Sequence, residues 1–237
     1  MRKTQGMPAG LLITLLAGAT AMAQMPPKPD LGPRTEPAIG TAVAVGGSGV
    51  CAGEEFAWFH PLGISRRGAF AYFLHTDEGP IHVWRFIITD LVHDKRLFAV
   101  SAEDPDNDME LKNFAFVNKD RISAALKKHG IDHRVPGELA SLSSIRKGMR
   151  GWFTSGQDKK KKSHTRHEFF LQVPQQGQKR VTSILVPGDK SGCKVLGAYQ
   201  SPYEPRLAIL ILHGAQGFEG RVTCQITVTG AHLESGY

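Results

Sequence analysis

The sequence predicts a mainly-β (α+β) fold. It reads as antiparallel β-meanders forming one β-rich domain with a short helical insert, either sandwich-like or partial-propeller-like. Three observations carry this expectation. Apolar and aromatic residues alternate with polar ones in runs of strand length through most of the chain after Ser65. Turn-forming clusters such as Ser65-Arg66-Arg67-Gly68 and Thr76-Asp77-Glu78-Gly79-Pro80 punctuate those runs. Helical periodicity is confined to about residues 118–147.

The first strand predicted with a clear turn before it is Arg67 to Leu74. Ile81 to Leu91 follows, rich in β-branched and aromatic residues, and Asp94-Lys95 turns the chain into Leu97 to Val100. The short connections predict a three-stranded antiparallel meander. From Lys119 to His129, Ile122, Ala125 and Leu126 share one helical face, with Asn118 or Asp120 to cap the start and Gly130 to end it. A second short helix is expected from about Gly137 to Ile145. The last third returns to strands at Glu168 to Val173, Arg180 to Val186, Lys194 to Tyr199, Leu207 to Leu212 and Val222 to Thr229. A faint repeat links Leu62 to His75 with Leu196 to His213: each has a Gly, a Ser-led turn with a basic residue, and an apolar strand ending in His.

The N-terminus has the anatomy of an export signal. Arg2 and Lys3 precede an apolar stretch centred on Leu11 to Leu16, and Ala21-Met22-Ala23 is an A-x-A cleavage site. The expected organisation is therefore a signal at 1–23, cleaved after Ala23, a Pro/Gly-rich extended tail at 24–48, and one β-rich domain at 49–237. The expected location is the periplasm or the exterior. No second stretch is apolar enough over about 20 residues to span a bilayer as a helix.

The chain of 237 residues carries a formal charge of +7, but the charge is unevenly placed. Loss of the signal removes two positive charges. Residues 24–117 have 8 basic and 13 acidic side chains, residues 118–180 have 15 and 5, and residues 181–237 have 4 of each. The basic excess of the mature chain thus lies in its middle. Within it, Lys159, Lys160, Lys161, Lys162 and Arg166 form the densest cluster, preceded by Arg146, Lys147 and Arg150. Clustered cations attract polyanions by releasing counterions. Trp152 and Phe153, between the two groups, offer rings to stack or insert at an interface. These eight basic residues are the candidate anion-binding set. A solvated hairpin loop between Phe153 and Phe169 is the plainer alternative.

Other motifs point to less. Leu210-Ile211-Leu212-His213-Gly214-Ala215-Gln216-Gly217 resembles the oxyanion-hole strand of α/β-hydrolases, but no Gly-x-Ser-x-Gly elbow follows it. Asp104 to Glu110 alternates carboxylates as a calcium loop does, yet Met109 and Ala115 occupy the EF-hand's obligatory Gly and Glu positions. The ten histidines form no local set of three or four ligands, so neither a metal nor a cofactor is assigned. Cys51, Cys193 and Cys224 allow three pairings. Cys193 with Cys224 is the candidate disulfide, since both lie near adjacent C-terminal strands.

Ser65-Arg66-Arg67-Gly68, Phe70-Ala71-Tyr72 and Ile87-Ile88-Thr89-Asp90-Leu91 resemble the hairpins of WD40-like and TolB-type propeller repeats. Together with Ser201-Pro202-Tyr203-Glu204-Pro205-Arg206-Leu207-Ala208 and Gly217-Phe218-Glu219-Gly220, the chain is similar to a group of uncharacterised secreted bacterial proteins. The resemblance implies export and a β-rich fold, and brings no active-site residue with it.

These observations favour an exported, non-enzymatic binding or envelope-associated protein whose partner is an anionic envelope component. No specific nucleic acid is predicted. Two alternatives stand beside it: an enzyme assembled from dispersed histidines such as His75, His82 and His213 with carboxylates, and a structural subunit that pairs with another envelope protein through a sheet edge.

Overall fold

Alternating side chains and tight turns fold most of this chain into antiparallel strands. The structure, a computed structural model, describes residues 43–45, 57–77, 81–131, 138–188, 192–216 and 222–237. Strands β1 (Val43–Val45), β2 (Ala57–Ile64), β3 (Ala69–Asp77), β4 (His82–Asp90) and β5 (Lys95–Asp104) form a five-stranded sheet in chain order. Helices α1 (Leu111–Val117), α2 (Lys119–His129) and α3 (Leu142–Ile145) follow. Strands β6 (Arg150–Gln157), β7 (His164–Val173) and β8 (Gly177–Pro187) form a second sheet. The third contains β9 (Cys193–Gln200), β10 (Arg206–Gln216) and β11 (Val222–His232), with β10 in the middle. The strand pairings are antiparallel throughout. The predicted class is therefore the one observed: a mainly-β domain with a short helical insert.

The three sheets stack face to face. Phe59, Phe70, Tyr72 and Leu74 of the first sheet pack against Tyr199, Leu210, Leu212 and Ile226 of the third. The other face of the first sheet, with Phe73, Trp84 and Phe86, is covered by Phe114 of α1 and by Ile122 and Leu126 of α2. The other face of the third sheet, with Leu207, Ile209 and Ile211, meets Phe169, Leu171 and Val186 of the second. The layers thus run helices, first sheet, third sheet, second sheet. This explains the unbroken apolar run in β10. Leu207 through Leu212 are each 0% exposed, because odd and even positions enter different cores.

Four elements escape the sequence pattern: β1 falls inside the expected extended tail, where it pairs with β2, and three more follow, each for a visible reason. β2 contains Pro61 and Gly63, which normally mark a break; the strand absorbs them in a register shift between those two residues. β6 reaches Gln157 and pairs in full with β7, so the expected loop shrinks to residues 158–163. α1 starts the helical insert at Leu111 rather than near 118, and buries only Phe114, too little for an amphipathic signal. α2 has the expected bounds. Gly130 ends it at φ 63°, ψ 32°, and Ile131 N donates to Leu126 O at 3.0 Å, closing a Schellman turn.

The faint repeat corresponds to two hairpins, β2–β3 and β9–β10. Ser65 N donates to Ala69 O at 2.8 Å and Ser201 N donates to Arg206 O at 2.9 Å at matching points of the two turns. The expected signal and most of the expected tail, 1–42, lie outside the described residues, as do residues 46–56. Among the described residues, no helix is long and apolar enough to cross a membrane.

Candidate anion-binding site

The lysine cluster sits on the six-residue connection between β6 and β7, and one carboxylate organises it. Asp158 Oδ1 accepts hydrogen bonds from Lys160 N at 3.0 Å and Lys161 N at 2.7 Å. Its Oδ2 accepts from Arg166 Nε at 2.9 Å and also from Nη2 of the same guanidinium. This is the Asx-turn chemistry of an aspartate at a tight turn. Asp158 N donates to His164 O at 3.0 Å, and His164 N donates to Lys161 O at 2.8 Å. Gln157 Nε2 donates to Lys162 O at 2.9 Å. The amide of Lys161, followed by the Arg166 guanidinium, draws the Asp158 carboxyl down to about 2. The turn itself covers this carboxylate, while Lys159 to Lys162 are exposed. Among the described residues, none of the four lysines has an acidic partner. A cleft of about 600 Å³ opens beside them, lined by Ser155, Gln157, Lys162, Ser163, His164 and Thr165.

The structure does not gather the eight basic candidates into one patch. Lys159, Lys160, Lys161 and Lys162 stay together. Arg166 is committed to Asp158 and also donates to Ser183 Oγ at 3.1 Å. Arg146, Lys147 and Arg150 lie at the far end of β6, roughly 25 Å away along the strand. There Arg150 Nε donates to Gln172 Oε1 at 2.9 Å. The aromatic pair is divided as well, because neighbours on a strand point to opposite faces. Phe153 turns inward onto Phe169, with ring centroids 5.1 Å apart. Trp152 stacks on Phe170 on the other face.

A second basic locus was not legible in the sequence. Arg66 and Arg67 of the β2–β3 turn meet Lys127, Lys128 and His129 of α2 around a cleft of about 370 Å³. Sixty residues separate the two segments, and the arginines belong to the net-acidic part of the chain. Lys127 and Lys128 also complement the carbonyl end of α2. Burial, then the charge of Lys128, holds His129 below the usual histidine value.

The predicted Cys193–Cys224 disulfide is not made. Cys193 is a free thiol and Cys224 is disulfide-bonded. Cys193 pairs in register with His213, and Cys224 with the adjacent Gly214, from opposite sides of β10. Two sheet spacings put their Cα atoms about 10 Å apart, beyond the 7 Å limit for a disulfide. Cys51, the remaining cysteine of the sequence, lies outside the described residues. Burial raises the Cys193 thiol to about 12, so it is protonated at neutral pH.

The three histidines proposed for an enzyme do not converge. His75 is stacked between Trp58 and Trp84, and His82 is beside it, with ring centroids 5.7 Å apart, on the helix-covered face of the first sheet. His213 lies on the face of the third sheet that meets the second. Its Nδ1 donates to Gly214 O at 2.8 Å, and its Nε2 accepts from Thr227 Oγ1 at 2.8 Å. Desolvation, with a smaller contribution from His167, lowers its pKa. Nearby, Ser155 Oγ and His167 Nδ1 lie 2.8 Å apart, a pair that sequence spacing did not suggest. In the acidic loop, Asp104 is buried and accepts from Asp108 N at 3.1 Å and Met109 N at 3.0 Å, so its carboxylate folds the loop. Among the described residues, no three His, Cys, Asp or Glu side chains gather as metal ligands.

No protein-family model matches the chain, and no curated protein or solved structure matches it significantly.

Proposed function

We propose that this is an exported binding protein that holds an anionic component of the cell envelope through the β6–β7 lysine turn. The carrying observation is the Asp158 clamp. It fixes the backbone of a turn that presents Lys159 to Lys162 without acidic partners among the described residues. A fixed turn loses little conformational freedom on binding, so more of the electrostatic attraction remains as affinity. The adjoining cleft adds the hydroxyls of Ser155, Ser163 and Thr165, which can hydrogen-bond phosphate, sulfate or carboxylate oxygens. Export is supported by the charged, apolar and A-x-A regions of residues 1–23 and by the disulfide at Cys224, which suits an oxidising compartment.

The test is retention on heparin and on vesicles containing anionic lipid, with and without Lys159 to Lys162 replaced by Ser. The variant should elute at clearly lower salt, and the salt dependence of wild-type binding should be reduced by up to about four ion contacts. A parallel variant, Arg66→Ser with Arg67→Ser, reports on the α2 cleft. Loss of retention only in this second variant would move the binding surface there. Unchanged retention in both would reject the reading.

A further inference from the structure

The outer layer of the stack is helical, and its surface combines two exposed apolar side chains with several cations. Phe116 and Val117 close α1 and are 74% and 81% exposed. They are the most exposed large hydrophobic side chains among the described residues, and they are adjacent. Single apolar residues scattered over a surface are ordinary, but a neighbouring pair left in water calls for a cause.

The junction that carries the pair is fixed. Phe114 is buried, with its ring edge-on to Phe73 and stacked on Trp84. Asn118 donates to Phe114 O from its backbone N at 3.2 Å and from Nδ2 at 3.0 Å, and its own carbonyl accepts from Ile122 N at 2.9 Å. α2 starts at the next residue and turns Ile122, Ala125 and Leu126 onto the first sheet. With Phe114 anchored inward, Phe116 and Val117 are held outward.

The charge around the pair is mostly positive. Lys119 Nζ lies 5.9 Å from the centroid of the Phe116 ring. Arg121 is exposed, and α2 carries Lys127 and Lys128 about 15 Å further along. There Arg66 and Arg67 join them around the smaller cleft. Against these cations the two helices set Asp120 and the cap residue Glu110, which is paired with Lys112 at 2.7 Å. The acidic loop with Asp106 and Asp108 precedes α1, whose length of about 10 Å separates it from the pair.

Lys112, Asn113, Lys119 and Asp120 flank the two apolar residues and are exposed. Such a pair is too small to be the core of a stable protein interface, which buries about 800 Å² per partner. It suits a bilayer surface. There a few apolar side chains enter the boundary between headgroups and acyl chains, and Lys and Arg stems carry their charges to the lipid phosphates.

We propose that the outer face of the helical layer docks on a bilayer that contains anionic lipid. Phe116 and Val117 enter the interface, and Lys119, Arg121, Lys127, Lys128, Arg66 and Arg67 hold the lipid phosphates. The lysine turn belongs to the second sheet, at the other end of the stack, so this surface is separate from it and does not depend on it.

The probe is vesicles of phosphatidylcholine with phosphatidylglycerol, added to the chain with Lys159 to Lys162 replaced by Ser. That chain should still bind. Adding Phe116→Ser and Val117→Ser should weaken binding by about tenfold or more. The same two substitutions in the wild-type chain should leave its elution from heparin, which has no hydrocarbon layer, unchanged. In Phe116→Trp, brominated acyl chains should quench the added emission in these vesicles and not in phosphatidylcholine alone. Both positions are exposed, so the core does not depend on them. Equal vesicle affinity with and without the two Ser substitutions would overturn the proposal. So would the absence of quenching, or equal quenching in phosphatidylcholine alone. Self-association without vesicles that is lost with Phe116→Ser and Val117→Ser would overturn it as well, by assigning the pair to a second copy of this chain.

Discussion

At the scale of single residues, a few side chains decide what the surface can do. Asp158 makes the lysine turn a fixed object: it replaces solvent for two amides and pairs with Arg166. Its folded-state pKa, at about 2, is below the ordinary aspartate value of 3.8. A depressed carboxylate contributes stability that is present above its unfolded value and lost as pH falls through the folded one. The turn should thus keep its order down to about pH 4 and loosen between there and about pH 2. At neutral pH, Asp158→Ala should expose the turn, and tryptic cleavage at Lys159 to Lys162 should accelerate severalfold. An unchanged cleavage rate would show that the hairpin strands alone hold it. Gly230 acts by having no side chain, since any Cβ there would push the β4–β5 turn off the β11 edge.

At the scale of elements, β10 is the strand on which the fold depends most. It is paired on both sides and buried on both faces. Leu210 faces the core shared with the first sheet, and Ile209 faces the core shared with the second. Leu210→Ala and Ile209→Ala should each cost about 2–5 kcal/mol, read from urea unfolding. In a two-layer sandwich, one of two adjacent strand positions would face solvent, and its truncation would cost no more than about 0.5 kcal/mol. A small cost at either position would therefore refute the stacking order. β6 and β11 show the complementary case. Both are edges of three-stranded sheets, and β11 opens onto a cleft.

At the scale of the whole molecule, burial makes two histidines a source of acid sensitivity. His213 and His60 are both held below the ordinary histidine value of 6.5, by desolvation in each case. A histidine whose folded pKa is depressed binds its proton more readily when unfolded. It contributes stability above the unfolded pKa that is lost as pH falls below it. The melting temperature should be flat from pH 8 to about 7 and decline below about 6.5. The decline should be shallower in His213→Gln. A decline of the same slope would assign the effect to other groups. The distribution of charge is also a property of the whole. Sequence counting placed the basic excess in one segment, yet the folded chain shows two separated loci, and half of the eight candidate cations lie away from the lysine turn or are already paired.

The sequence by itself determined the class of fold, the β3–β4–β5 meander, the bounds of α2 and the strands of the last third. Those features rest on local periodicity and turn chemistry, which depend on residues a few positions apart. It also pointed to the lysine turn, because charge density is a local property. Tertiary structure decided the rest, because contacts between distant residues leave no local trace. β2 was hidden by Pro61 and Gly63, which only a paired neighbour makes tolerable. The disulfide could not be read from proximity in sequence, because β10 lies between β9 and β11. The meeting of Arg66 and Arg67 with α2 exists only once the helices cover the first sheet, and the cleft that brings β11 beside Arg96 only once the third sheet lies over it.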